Sequence, residues 1–418
     1  MIDLKKWVRK RNRRELERFV KVVYEVLLRR SIDSESLTGH VESMLDGMRP
    51  SQFIENIGTS EEFKLATGYS LSRNEIGGSS SSLEFIGNNY DYESVKRVIY
   101  FAPSIKREIG GIKVIVRHSE IINQISSEIT SEVFFPQNMN TQIHWFEHNA
   151  KIKTDALFDV RKDFIIIPEI WSIKYGEYLS ALKIRYGIFV QNGYDIFAGG
   201  DLVDDDRVSA IKIAYKNANV VLTISDDTTT CVSLAFPDIA NKVIQLTTSI
   251  DTHLFRCDKK KENIISFMPR KLTAQSSWLL AQLKLLGDKN WEILPIVGLN
   301  EQSVAEVLSI SKIFLSFSDR EGLSLPPLEA ALSGNLVIGY TGEGAEEYWH
   351  GNLFKKIESG NLINFRAELI KEMIDKKSDD RFATFLRDSA EQISFLKKKY
   401  SSSEEGIRIS KFLTLLNT

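Results

Sequence analysis

The 418-residue sequence contains only two cysteines, Cys231 and Cys257, which lie far apart and in no CxxC motif. This scarcity argues against a disulfide-rich secreted domain and against a cysteine-based metal site. We therefore expect two reduced thiols in a cytoplasmic protein. No apolar run approaches the roughly 20 residues that a membrane-spanning helix needs, and charges interrupt the N-terminus where a signal peptide would lie.

The sequence also lacks an excess of charge of one sign. Lysine and arginine number 54, aspartate and glutamate 56, and the formal net charge is -2. We therefore expect no general electrostatic attraction to nucleic acid. Charged residues make up 26% and hydrophobic residues 43% of the chain, as is ordinary for globular proteins. A chain of this length is expected to form two or three domains.

The first thirty residues are locally basic, and their apolar residues, Trp7 among them, recur at helical spacing. Such a helix could lie on the inner face of the plasma membrane, or it could present a solvated basic face over a small helical core. The sequence leaves both interpretations open. Flotation with anionic liposomes, with and without residues 1–30, would separate them, because only a membrane-binding helix makes recovery depend on that segment.

Residues 1–67 as a whole have a helical pattern, with Asp33 and Pro50 as helix-start residues. The pattern "LL.R..D...L" with a closing "S.EF" resembles a small bacterial helical domain of uncharacterised function. The resemblance implies no chemistry, so we interpret 1–67 as an accessory domain. Residues 68–89 include two adjacent glycines and four consecutive serines, and we predict that they form a linker.

From residue 90 onward, short β-like runs alternate with helical patterns, which is typical of a doubly wound parallel sheet. We divide this part into an α/β domain at 90–255, a second at 256–385, and C-terminal helices at 386–418. The predicted strands are Arg97–Phe101, Glu132–Phe135, Ile143–Phe146, Phe164–Ile167, Gly187–Val190, Val220–Ile224, Val243–Gln245, Asn263–Met268, Glu292–Val297, Ile313–Phe317 and Leu336–Tyr340. Predicted helices include 111–126 and 301–311.

The acidic run DLVDDDRVSAI, which begins at Asp201, offers oxygen ligands for a metal. Acidic residues are equally favoured at a helix N-terminus, where the helix dipole attracts negative charge. We therefore interpret this run as a helix start and expect no metal site.

The most informative stretch follows the predicted strand Ile313–Phe317 and reads SDREGLSLPPLEAALSG. Residues 318–322 form a polar loop, and Ser324 precedes two prolines as the expected cap of a helix. Gly334 is expected to end that helix. A loop carboxylate beside a helix N-terminus makes a natural anion site, because backbone N–H groups and the helix dipole favour negative charge there.

Within this stretch, EGLSLPPLEAALSG places Glu321 and Glu329 with seven residues between them. The motif resembles the E-x7-E signature of retaining GT-B glycosyltransferases, particularly those of family four. The resemblance implies two facing Rossmann-like domains, a nucleotide-sugar donor as substrate, no cofactor and no essential metal. It further implies that Glu329 binds the ribose hydroxyls, that Glu321 lies beside the donor sugar, and that Gly322, Leu323 and Ser324 cradle the donor.

The resemblance implies donor contacts elsewhere in the second domain. In this family an Arg and a Lys after the first strand of the C-terminal domain hold the donor diphosphate, and Arg270 and Lys271 occupy that place here. A leaving diphosphate gains about two negative charges, which a guanidinium and an ammonium can neutralise. Gly342 and Gly344 are expected to let the backbone approach the nucleotide base or the sugar.

The acceptor side is less well marked. Gly110 and Gly111 resemble the glycine pair that opens the first helix in this family, and His118 follows on the same helix, where a structural role is equally consistent. The family's usual histidine in the first domain has no counterpart, because the corresponding region reads IRYGIFVQNGYDIF. Asn192 and Glu169 each follow a predicted strand, at the sheet edge where ligands bind.

Together these features predict a glycosyltransferase that moves a sugar from a nucleotide-diphosphate sugar to a hydroxyl of a bacterial surface glycan, such as O-antigen or capsule, or of its lipid-linked precursor. The family likeness implies retention of configuration, and a C-terminal tail that crosses back to the first domain. Two alternatives remain. One is a non-catalytic scaffold with a degenerate cleft, and the other is an NDP-sugar epimerase or phosphorylase on the same fold.

Overall fold

The computed structural model describes residues 83–87, 92–103, 110–136, 143–198 and 205–417, together with 30–46 and scattered positions between 13 and 60. The basic segment before residue 13 and most of the predicted linker lie outside the described residues. In the N-terminal region, helix α1 (Ser34–Leu45) begins where predicted, because the Asp33 carboxylate accepts a hydrogen bond from the Ser36 amide at 2.8 Å.

The first α/β half is built on a seven-stranded parallel sheet with the order β4-β3-β2-β6-β7-β8-β9. A separate parallel pair joins β1 to β5. The strands of this half are β1 (Glu84–Ile86), β2 (Arg97–Phe101), β3 (Thr130–Phe134), β4 (Ile152–Lys153), β5 (Leu157–Asp159), β6 (Asp163–Pro168), β7 (Tyr186–Val190), β8 (Val220–Thr223) and β9 (Val243–Gln245). Its inner strands are buried on both faces, as all-parallel sheets require.

The helices of this half connect successive strands. They are α2 (Gly110–Ile125), α3 (Glu177–Ala181), α4 (Asp205–Asn217) and α5 (Asp226–Ala235). The glycine pair does open α2, as predicted, and the acidic run leads into α4 with two aspartates in its first turn. Single turns of irregular helix follow β6 and β7 at Glu169–Trp171 and Gly193–Asp195.

The second α/β half has a five-stranded parallel sheet with the order β11-β10-β12-β13-β14. Its strands are β10 (Glu262–Phe267), β11 (Glu292–Pro295), β12 (Ser311–Glu321), β13 (Leu336–Glu343) and β14 (Phe354–Lys356). Its helices are α6 (Thr273–Leu286), α7 (Glu301–Ile310), α8 (Leu325–Leu332), α9 (Leu362–Lys376), α10 (Asp379–Asp388), α11 (Ala390–Lys399) and α12 (Ser402–Leu415). None of the helices in the described part of the chain is both long and apolar enough to cross a membrane.

Three predicted segments differ in the structure, and the short strands β4, β5 and β14 were not predicted. Ile143–Phe146 is a loop rather than a strand, although Ile143 and Phe146 are buried: this apolar run covers the core beside α2 without joining a ladder. The end of the predicted linker is folded, since β1 pairs with β5. The predicted polar loop 318–322 is largely an extension of β12, which continues to Glu321 with an irregular register against β13.

The C-terminal helix α12 returns to the first half and packs against α2. Ile409 and Phe412 lie in the same core cluster as Ile112 of α2. The carboxylate of Glu405 accepts a hydrogen bond from the Ser249 amide at 2.8 Å, just after the first sheet ends. The tail therefore fastens the end of the chain to the first sheet through both apolar burial and a buried polar contact.

We expect Phe412→Ala to lower the free energy of unfolding by about 3 kcal/mol, because the side chain is fully buried (0% exposed) and its removal leaves a cavity between α12 and α2. Ile407→Ala on the same helix is the matched control, since Ile407 is 50% exposed and its loss should cost less than about 1 kcal/mol. Urea unfolding measures both. Equal effects of the two substitutions would contradict the packing described for α12.

Candidate active site

A cavity of about 840 Å³ lies between the two halves. It opens where strands of both sheets end, which is the edge at which ligands bind in open parallel sheets. It brings together most of the residues singled out from the sequence: Gly110, Gly111, Glu169 and Asn192 of the first half, and Arg270, Lys271, Glu321, Gly322, Leu323, Ser324 and Glu329 of the second. Gly342, Gly344 and His118 do not line it.

The basic pair follows β10 and faces the end of β12. The Lys271 ammonium forms an ion pair with the Glu321 carboxylate, and Arg270 is exposed at the cavity wall. Leu272, the next residue, adopts a left-handed backbone with φ of 47°, which is costly for a side chain of this kind. An ammonium has three donors, so Lys271 can contact a phosphate oxygen while it retains Glu321.

The turn at the end of β12 is held by the first half of the molecule. The Ser225 hydroxyl donates to the Gly322 carbonyl at 2.5 Å, and the Asn192 side-chain amide donates to the Arg320 carbonyl at 3.0 Å. A Cβ on Gly322 would lie 2.7 Å from the Gln191 carbonyl carbon, so only glycine fits this close approach. Arg320 has φ of 44°, which adds backbone strain to the same turn.

Helix α8 begins after Ser324, but the Ser324 side chain does not cap it. The hydroxyl instead pairs with the Ser318 hydroxyl at 2.8 Å, and the Ser324 carbonyl accepts a hydrogen bond from Tyr348 at 2.5 Å. Prolines in the first turn lack N–H groups. The helix end can therefore attract an anion through its dipole, but it supplies few backbone N–H donors. The expectation of a side-chain cap was therefore wrong, although the helix start was right.

Glu329 lies on the cavity side of α8 and faces the other half. Its carboxylate is 3.3 Å from the Lys113 ammonium of α2, which also pairs with Glu301 at the start of α7. Burial raises the pKa of Glu329, while Lys113 lowers it and the nearby Glu301 raises it again. Burial lowers the pKa of Lys113, but the two carboxylates more than compensate and hold it above its usual value.

On the opposite wall, Glu169 follows β6 directly and is buried. Its carboxylate accepts a hydrogen bond from the backbone amide of Asn192 at 3.0 Å. The side-chain amide of Asn192 donates to the Asp195 carboxylate at 2.9 Å. Burial raises the pKa of Glu169 to about 7, against the opposing effect of backbone N–H groups. A carboxyl that titrates near neutrality inside a cavity is suited to a hydrogen bond with a substrate hydroxyl.

His118 is corrected to a core residue. It is fully buried on the other face of α2, where its Nε2 lies 3.2 Å from the Thr247 carbonyl and 3.3 Å from the Glu405 carboxylate. His118 was expected at the site because it follows the glycine pair on the same helix. It lies five residues after Lys113, however, and the helical period points the two side chains to different sides of the helix. His118 therefore belongs to the attachment of α12 and not to the cavity.

Gly342 and Gly344 also lie behind the cavity rather than in it. The Gly344 amide donates to the Glu321 carbonyl at 3.0 Å, and a Cβ at Gly344 would collide with that carbonyl. A Cβ at Gly342 would lie 2.8 Å from the Ser318 Cβ. These glycines allow one backbone to approach another, so their contribution is to support the turn at the end of β12.

Sequence reasoning missed Lys113, Glu301 and Ser225, although the first two line the cavity and Ser225 holds the turn. A lysine on an amphipathic helix and a glutamate in a first helical turn are ordinary on any surface. Their only available signal was position: Lys113 follows the glycine pair closely, and Glu301 follows the second strand of the second sheet.

Comparison with known proteins identifies the architecture. No protein-family model matches the chain. The chain is 26% identical over 184 residues to an alpha-1,6-glucosyltransferase of Actinobacillus pleuropneumoniae serotype 7, covering 43% of this chain. The chain thus spans about half (53%) of the length of the curated relative that it matches.

Two solved structures share the fold over most of their length. One is HepE from Anabaena in complex with UDP-glucose, with a TM-score of 0.54 and 11% identity, covering 76% of this chain and 99% of HepE. The other is sucrose-phosphate synthase from Thermosynechococcus elongatus, with a TM-score of 0.57 and 11% identity, covering 77% and 99%. The expected architecture is confirmed: the chain has the GT-B fold, with two Rossmann-like units facing each other across a cleft.

Proposed function

We propose that the protein is a glycosyltransferase that uses a UDP-sugar donor. The observation that carries this proposal is the meeting of Arg270, Lys271, Glu321 and Glu329 in one cavity between two facing sheets. Cations beside the end of β12 suit a diphosphate, and a buried carboxylate beyond them suits the hydroxyls of a ribose. The complex of HepE with UDP-glucose and the name of the Actinobacillus relative support a UDP-hexose as the donor class.

In this proposal the bond between the sugar C1 and the diphosphate oxygen breaks, and a bond from C1 to the acceptor oxygen forms. The acceptor proton passes to the leaving phosphate oxygen. Arg270 and Lys271 stabilise the negative charge that develops on the diphosphate, and the α8 dipole adds to this field. We assign the contact with the donor sugar to Glu321, which forms an ion pair with Lys271. Transfer with retention of configuration is part of the proposal and follows the E-x7-E likeness.

We place the acceptor on the wall formed by the first half. Glu169 and Asn192 face the cavity there, and the ionised Glu169 carboxylate can accept a hydrogen bond from an attacking hydroxyl and orient it. The acceptor class we propose is a bacterial surface glycan or its lipid-linked precursor, which carries many such hydroxyls. No metal or cofactor takes part in the proposed reaction.

Lys271→Ala and Glu329→Ala should each reduce turnover of UDP-glucose by about 100-fold or more, because each removes a charged contact to the donor in a partly dehydrated site. Release of UDP measured with and without a hexoside acceptor is the assay, and release that requires acceptor also distinguishes a transferase from an epimerase. Lys289→Ala and Glu358→Ala, both exposed away from the cavity, are the matched controls. Near wild-type rates in either cavity variant would count against the proposal.

The pKa of Glu169 near 7 predicts a pH dependence of the acceptor step. Below that pKa the group is a neutral acid, and above it a carboxylate that accepts the hydroxyl's hydrogen bond more strongly. We therefore expect kcat/KM for the acceptor to rise as pH increases through about 7 in the wild type. In Glu169→Gln this rise should be absent. Identical pH profiles for the two proteins would exclude the role given to Glu169.

A further inference from the structure

Lys113 connects the two halves of the molecule at one end of the cavity. It extends from α2 of the first half, while its two carboxylate partners, Glu301 and Glu329, belong to helices of the second half. All three side chains are nearly buried, with exposures of 13%, 12% and 9%, and all three line the cavity. One cation from one half thus balances two anions from the other.

This arrangement offsets the repulsion between the two glutamates. Burial and mutual repulsion both raise the pKa of Glu329, and Lys113 opposes them. Two buried carboxylates at one site without a cation share a proton, because they cannot both ionise at low cost. Lys113 offsets this cost, so the two carboxylates can lie close together.

The Lys113 side chain is also held in place by its surroundings. Its ammonium lies 5.7 Å from the centre of the Phe255 ring, on the second-half side of the cleft. Arg117, one turn further along α2, behaves differently: it pairs with Glu120 within its own helix at 3.0 Å, lies 5.7 Å from the centre of the Phe146 ring, and does not itself line the cavity. Of these two α2 cations, Lys113 is the one placed to act on the cavity.

We propose that Lys113 is a positioning residue of the ribose subsite. Its charge holds the Glu329 and Glu301 carboxylates close together against their mutual repulsion, so that the pair can accept the two ribose hydroxyls of the donor nucleotide. The inference rests on the proposed function, because it needs a nucleotide in this cavity. The cation and the two anions come from opposite sides of the cleft, so the ribose subsite is complete only when the two halves are in contact.

The test is the affinity of Lys113→Met for UDP-glucose, measured by calorimetry without acceptor at about pH 8 and about pH 6. UDP-glucose has no titrating group in this range. We expect affinity about tenfold weaker than wild type at the higher pH, with partial recovery at the lower pH, where protonation of Glu329 relieves its repulsion with Glu301. Wild type, Lys113→Arg and the control Arg117→Met should differ little from one another at either pH.

Any effect of the other charged groups that line the cavity is the same in wild type and in these variants, so it does not change the comparison of their affinities. These groups are Arg270, Lys271, Glu321, Glu169 and Asp195. A double variant, Lys113→Met with Glu301→Gln, removes one cation and one anion and should bind UDP-glucose more tightly than Lys113→Met alone. Circular dichroism confirms that each variant is folded, and the double variant keeps the test informative if Lys113→Met is unstable.

Three results would overturn the inference. Affinity of Lys113→Met equal to that of wild type at both pH values would show that the subsite does not depend on the cation. Weak binding with a wild-type pH dependence and no recovery in the double variant would show a purely structural role. Failure of wild type itself to bind UDP-glucose would remove the proposed function, and this result is distinguishable because it requires no variant.

Discussion

The close contact between the Gly322 turn and the first half is the constraint on which the rest of the site depends. The Gly322 carbonyl accepts the Ser225 hydroxyl, and a side chain at this position would collide with the Gln191 backbone. The contact fixes where β12 ends and therefore where Glu321 and the start of α8 lie. The left-handed backbone at Arg320, two residues before Gly322, adds strain to the same turn.

The two walls of the resulting cavity carry different groups. The second half supplies the cations and acids that suit a nucleotide sugar, and the first half supplies Glu169 and Asn192 opposite them. Lys113 is the exception, because it crosses from the first half into the acidic end of the second. In the proposed function, donor binding and contact between the halves are coupled through this buried charge. The apolar attachment of α12 to α2 keeps the end of the chain on the first sheet.

Much of this could be predicted from the sequence, because buried parallel strands are short apolar runs bounded by turns, and because strand ends converge on one edge. The placement of Arg270, Lys271 and Glu329 in one cavity was expected from the family resemblance, and the convergence of strand ends agrees with it for the basic pair. Contacts between side chains of different halves could not be predicted, since nothing local distinguishes Lys113 from a solvated lysine or His118 from a site residue. The prediction of a strand at Ile143–Phe146 was wrong for another reason, because a short apolar run can be buried equally well in a loop.

A crystal structure of the protein with UDP-glucose tests the central claim most directly. The account predicts the diphosphate beside Arg270 and Lys271, with the ribose hydroxyls on the Glu329 carboxylate and the sugar between Glu321 and the wall that carries Glu169. A nucleotide bound outside this cavity, or bound in it with the ribose directed away from Glu329, would contradict the account.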